Sequence, residues 1–223
     1  MISVLNNLLT ANKILPQILH KILVTRTLTN SSRETQKMTS NQDFCTDIVW
    51  MDLEMTGLDI IKDKILEVSC LITDKHLNVL AEGPCFAINH PENVFREMND
   101  WCIKHHNESG LVEKCLKSSI TNEKGEQLII DFLKQHIPKG KCPLAGNSVY
   151  MDRLFLRQEM PLVDDYMHYR IIDVSTIKEL ARRWHPKLLD AAPKKKFAHR
   201  SLDDIYESIK ELKFYREHFF KEN

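Results

Sequence analysis

Hydrophobic and polar positions alternate along the chain with two different periods. Ile48-Val49-Trp50-Met51 is a short apolar, β-prone run that predicts a buried strand. Ile65 to Thr73 and Leu77 to Ile88 predict two more, with Asp74-Lys75-His76 as the turn between them. Helical spacing follows over Val94 to His105, Ser109 to Lys117 and Asn122 to His136, the last broken by Pro138-Lys139-Gly140. Pro143 to Gly146 reads as a short buried strand. Met151 to Met160 reads as a helix stopped before Pro161. Arg170 to Val174 is a further strand, Thr176 to Trp184 a helix, and Leu202 to Phe220 a final helix. Strands first, then strands alternating with helices, predict an α/β fold: a mixed β-sheet covered by α-helices.

The first 45 residues do not share this pattern. Leu5, Leu8, Leu15, Ile18 and Ile22 fall on one helical face, and Pro16 interrupts it. Residues 1–46 hold five basic and two acidic residues, a net charge of +3. The chain as a whole balances 31 basic against 31 acidic residues, so the remainder, 26 basic and 29 acidic, carries −3. A basic, acid-poor, Ser/Thr-bearing amphipathic leader reads as a mitochondrial transit peptide over residues 1–45; the alternative is a tail with no address. Met38 offers a second start, which would give a cytoplasmic form. The body, residues 46–223, has the length of a single domain.

Composition narrows the class. At 43% hydrophobic and 28% charged residues the chain is an ordinary globular protein rather than a disordered or fibrous one. No apolar run approaches the ~20 residues of a spanning helix, so no membrane association is expected. The six cysteines form no C-x-x-C pair, so we expect neither a zinc ribbon nor a disulfide framework, and a reducing compartment. Phosphate-loop, dinucleotide, zinc-protease and serine-hydrolase motifs are absent from the sequence.

The carboxylates carry the chemistry. Asp52 and Glu54 stand two apart at the end of the first strand and therefore point the same way. Two acids there call for a hard divalent ion, Mg²⁺ or Mn²⁺, unless the strand ends at a solvated turn closed by Gly57. Asp152 is a third candidate, or else a first-turn acid that favours its helix dipole. In His199-Arg200-Ser201-Leu202-Asp203-Asp204, His199 and Asp204 can converge if the histidine precedes the helix. Ser201 as N-cap with Asp204 three residues on also reads as a capping box.

Taken together, DIVWMDLEMTGL (Asp47 to Leu58), PLAGNSVYMDRLF (Pro143 to Phe155), YRIIDVSTIKEL (Tyr169 to Leu180) and HRSLDDI (His199 to Ile205) resemble the oligoribonuclease family. That family belongs to the DEDDh group of 3′-to-5′ exonucleases and has a ribonuclease H-like fold. The resemblance covers residues 45 to 220. It implies that Asp52, Glu54, Asp152 and Asp204 hold two Mg²⁺ or Mn²⁺ ions and that His199 is the general base. It implies very short single-stranded RNA, down to dinucleotides, as substrate and nucleoside 5′-monophosphates as products. Leu58 would wedge between two bases and Trp101 would stack on one. Ser148, Arg170 and Ser175 would bind the 5′ phosphate, and Tyr169 would reach in from a second subunit of a homodimer. From the pattern alone, Leu58 and Trp101 also suit core packing, and Arg170 a strand edge. Lys194-Lys195-Lys196 could attract phosphate, act as a nuclear address, or be a solvated loop. Competing functions are an exonuclease for longer RNA or DNA and a catalytically silent RNA-binding scaffold.

Overall fold

The computed structural model describes residues 45–194 and 200–220. These all fall within the compact unit Phe44–Asn223. The leader expected over residues 1–45, apart from Cys45, lies outside the described residues, as do Met38, Lys195, Lys196 and His199.

The apolar runs become a five-stranded sheet. Its strands are β1 (Ile48–Met55), β2 (Ile65–Thr73), β3 (Val79–Ala87), β4 (Leu144–Gly146) and β5 (Ile171–Asp173), in the spatial order β3-β2-β1-β4-β5. β1 pairs antiparallel with β2, and β2 with β3; β1–β4 and β4–β5 are parallel. The sheet is therefore mixed, as the order of elements predicted.

Alternation along β1 separates two cores. Val49, Met51 and Leu53 face a cluster that includes Ile129 and Leu133 of α4 (Asn122–His136) and Phe155 and Leu156 of α5 (Val149–Glu159). Ile48 and Trp50 face the opposite side. There they meet Val174 and Ala181 of α7 (Val174–Trp184) and Ile205, Ile209, Leu212 and Tyr215 of α9 (Ser201–His218). The Trp50 indole N–H, buried in this second core, is satisfied by Thr73 Oγ1 at 3.0 Å. Asp52 and Glu54 continue the Trp50 side, so the sheet's period aims both acids toward α9.

Several boundaries differ from expectation. The first strand runs past its apolar run to Met55, carrying Asp52 and Glu54 in register opposite Ser69 and Glu67. The strand expected over Leu77 to Ile88 narrows to Val79–Ala87, since Leu77 sits in the turn with φ 68°. The helix expected over Val94 to His105 is two, α1 (Glu92–Arg96) and α2 (Asp100–Glu108); Asn99 restarts it by accepting the Cys102 N–H. Left-handed Gly110 delays α3 to Leu111–Lys117. Two short helices were not expected: α6 (Pro161–Tyr166) and α8 (Pro186–Ala191), each opening on its proline.

The cysteine expectation fails for one pair. Cys45 and Cys142 form a disulfide, with Cα atoms 5.7 Å apart. They lie 97 residues apart in sequence, but each precedes a strand of the β1–β4 parallel pair, which brings them side by side. Among the described residues no helix is long and apolar enough to cross a membrane.

Candidate active site

Three elements converge at the end of β1. Asp52 and Glu54 come from the strand, Asp204 from the first turn of α9, and ligand atoms of all three lie within 4.8 Å of one another. Asp152, in the first turn of α5, enters from the other side. Its Oδ1 accepts the Leu53 N–H at 2.9 Å, so the carboxylate docks on the backbone between the two strand acids. It is 7% exposed and is not one of the three clustered carboxylates.

The electrostatics follow from burial. Glu54 is pushed up to about 8, first by burial and then by the charges of Asp204, Glu67 and Asp152. Asp152 is also raised, mainly by burial and further by Asp173, while the Leu53 N–H pulls it back down. Like charges gathered where water is scarce favour either protons or a cation. The donors are all carboxylate oxygens, which suit a hard divalent ion and give little to a soft one. The residues present therefore fit the metal that the sequence pattern implied.

The capping box that the sequence left as an alternative does not form. Arg200 is the N-cap of α9, and Ser201 is its first helical residue. Ser201 is fully buried, and its N–H and hydroxyl both reach Glu67 of β2 instead of leaving the hydroxyl to cap.

Leu58 and Trp101 are exposed, at 68% and 54%, rather than packed in the core. Both line a cleft with Glu54, Gly57, Cys102 and His106 that opens beside the carboxylates. The loop carrying Leu58 is tied down by Asp63, whose carboxylate accepts from Thr56 Oγ1 and from the Asp59 N–H, each at 2.8 Å. Gly57 lies against that carboxylate so closely that an added Cβ would overlap it.

Ser148 and Ser175 come together, with their hydroxyl oxygens 3.1 Å apart, in a hollow that also includes Asp173 and Arg183. Ser148 adopts a left-handed backbone (φ 53°), and Asp173 holds it there. One Asp173 oxygen accepts both the Ser148 and Ser175 N–H groups at 2.9 Å. Tyr169 and Arg170 are exposed at the sheet edge, with the guanidinium 4.9 Å from the Tyr169 ring centre. Neither lines the Ser148–Ser175 hollow.

Sequence reasoning passed over Asp63, Asp173 and Glu67. The signal for Glu67 was present: an acid and then a serine inside an otherwise apolar strand. Asp173 and Asp63 gave less warning, because Asp in turns and before helices is ordinary capping chemistry.

Comparison with known proteins agrees with this geometry. The exonuclease family RNase_T matches residues 49–212. A Drosophila melanogaster protein named "Probable oligoribonuclease" is 64% identical over 185 residues, 83% of this chain and 88% of that one. Human "Oligoribonuclease, mitochondrial" is 53% identical over 184 residues, covering 82% of this chain and 78% of its own. The "Oligoribonuclease" of Haemophilus ducreyi is 53% identical over 174 residues, covering 78% and 94%. Among solved structures, a zinc-bound Escherichia coli exonuclease I–single-stranded DNA complex superposes with TM-score 0.61 at 15% identity. That match covers 78% of this chain but only 41% of exonuclease I, and it speaks to the fold alone.

Proposed function

The chain belongs to the oligoribonuclease family of exonucleases, and on that premise we propose that it trims very short RNA from the 3′ end to nucleoside 5′-monophosphates. The observation that carries this reading is the convergence of Asp52, Glu54 and Asp204 within 4.8 Å, with Asp152 docked beside them.

Asp52, Glu54, Asp152 and Asp204 would hold two Mg²⁺ or Mn²⁺ ions. When bound, such ions lower the pKa of the attacking water and stabilise the leaving 3′ oxygen. The chain's own residues supply the rest. Burial raises Glu54 and Asp152, and neighbouring carboxylates raise both further, so these two would give up protons readily to a bound cation. His199, whose ordinary pKa near ~6.5 suits proton removal at neutral pH, takes the proton of the water. Exposed Leu58 and Trp101 offer apolar surface to bases without reading their edges, which suits a sequence-tolerant enzyme.

The paired Ser148 and Ser175 hydroxyls would receive the 5′ phosphate, ending the site after a few nucleotides. Arg170 would join them, with Tyr169 entering from the partner of a homodimer. The exposed edge position of both residues supports that reading. Residues 46–223 would form the enzyme domain. The basic leader over residues 1–45 would address it to the mitochondrion, in line with the names of the mouse, human and bovine relatives, each an "Oligoribonuclease, mitochondrial". A net charge of −3 on the body is compatible with a dinucleotide, which releases few counterions, and ill-suited to long RNA.

Chelation tests the reading. EDTA should stop release of nucleoside 5′-monophosphate, and Mg²⁺ or Mn²⁺ should restore it. Release that continues undiminished in EDTA would contradict the metal site. RNA retention without any release under either metal would make the protein a binding scaffold.

A further inference from the structure

Strand β2 is buried along its whole length, yet it carries Glu67 and Ser69. In the antiparallel register Glu67 stands opposite Glu54, and Ser69 opposite Asp52. Directly paired residues share a face of the sheet, so this polar pair lies behind the two strand acids on the side that α9 covers. Both side chains close on one residue. The Ser69 and Ser201 hydroxyl oxygens are 2.6 Å apart. Glu67 Oε2 accepts from the Ser201 hydroxyl at 2.8 Å and from its backbone N–H at 3.2 Å.

The protons can be assigned. Glu67 as a carboxylate only accepts, so the Ser201 hydroxyl donates to it and must accept from Ser69. Donation thus runs from Ser69 to Ser201 and from Ser201 to Glu67. The other carboxylate oxygen meets Lys114 Nζ at 3.3 Å, which offsets the charge from the far side.

Ser201 is the first residue of α9, where N–H groups lack helical partners and a negative charge is favoured. Asp204 follows within the same turn, its own N–H bonded to the Arg200 carbonyl. Fixing Ser201 at both its N–H and its hydroxyl sets the height and rotation of that turn. The rotation decides whether the Asp204 carboxylate meets Asp52 and Glu54. A buried carboxylate directly opposite Glu54 adds like charge to the site, and an apolar residue would seal the sheet without it.

We propose that Glu67, acting with Ser69 through Ser201, is a positioning residue of the active site: it locks the first turn of α9 so that Asp204 completes the carboxylate cluster. The proposal rests on Asp204 being a metal ligand.

The test uses the whole protein with a 5′-phosphorylated RNA dinucleotide and a Mn²⁺ titration. Glu67→Gln removes the charge and the oxygen that faces Lys114, while its amide oxygen can still accept from Ser201. We expect it to need about 10-fold more Mn²⁺ for half-maximal rate and to lose about 10–100-fold in kcat. Its KM for the dinucleotide should stay within about twofold of wild type, because Leu58, Trp101 and Ser148 are untouched. Ser201→Ala should move the same two quantities in the same direction. Ser201→Thr, which keeps the hydroxyl and N–H, should restore most of the rate.

Ile130→Val is a control for general loosening; it lies in the other core and should lower stability with no change in Mn²⁺ requirement. If Glu67→Gln does not fold, the Ser201→Ala and Ser201→Thr pair decides. Wild-type Mn²⁺ dependence in both Glu67→Gln and Ser201→Ala, or a shift equal to that of Ile130→Val, overturns the proposal. An inactive wild type would instead remove the exonuclease reading on which it stands.

Discussion

The Asp152 carboxylate accepts the backbone N–H of Leu53, 99 residues away, at 2.9 Å. The bond places one acid against the strand between two others, Asp52 and Glu54. The same contact anchors α5 to the sheet, so a structural role and the proposed metal-holding role meet in one side chain. Asp152→Asn separates them. The amide oxygen can still accept from Leu53, so melting temperature should change by no more than a few degrees. Nucleotide release should fall by about 100-fold or more, because the charge that would hold a metal ion is gone. A thermal melt alongside a rate assay checks both halves. A variant that melts normally and turns over normally would remove Asp152 from the chemistry.

Stability without metal should fall as pH rises. Glu54 carries its proton up to about 8 in the folded protein, against 4.5 as the ordinary value. A folded-state pKa above the unfolded one gives stability that is complete below about 4.5 and is lost progressively as pH climbs through 8. Raised Asp152 acts in the same direction. The EDTA-treated protein should therefore melt lower at about pH 8.5 than at about pH 6, and added Mn²⁺ should raise the melt more at the higher pH. A metal effect that is larger at the lower pH would contradict this.

The cleft residues should control binding rather than chemistry. Trp101→Ala and Leu58→Ala should raise KM for a dinucleotide by about 5- to 150-fold, the equivalent of about 1–3 kcal/mol per base contact, with smaller changes in kcat. Gly57→Ala should act similarly, since a methyl group there collides with the Asp63 carboxylate that holds the Leu58 loop. Steady-state kinetics on the dinucleotide distinguish the outcomes. A selective loss of kcat would argue that these residues shape the reacting end instead.

His199→Ala should abolish most turnover while leaving metal binding in place, because the histidine is proposed as a base and not as a ligand. Calorimetric titration with Mn²⁺ checks this. Weakened metal affinity would reassign it.

Much of this was legible in the residues. Period-two alternation along Ile48 to Glu54 separates Trp50 from Met51 and puts both acids on the α9 side, and the sheet obeys it. Helix breaks were harder. Phe95, Met98 and Cys102 keep a helical apolar rhythm that hides the N-cap at Asn99, and Gly110 acts through a left-handed φ. Ser201 stayed ambiguous because Ser-x-x-Asp before an apolar run fits capping so well. Tertiary contact with Glu67 redirected its hydroxyl. The Cys45–Cys142 bond depends on strand order, which spacing does not encode.

Substrate length tests the central claim most directly. A two-nucleotide and a twenty-nucleotide RNA with the same 5′ phosphate should be compared for rate per 3′ end, at equal Mn²⁺. A site closed after a few nucleotides by Ser148 and Ser175 should process the dinucleotide markedly faster. Equal rates per end, or a preference for the longer RNA, would contradict a pocket built for the shortest RNAs.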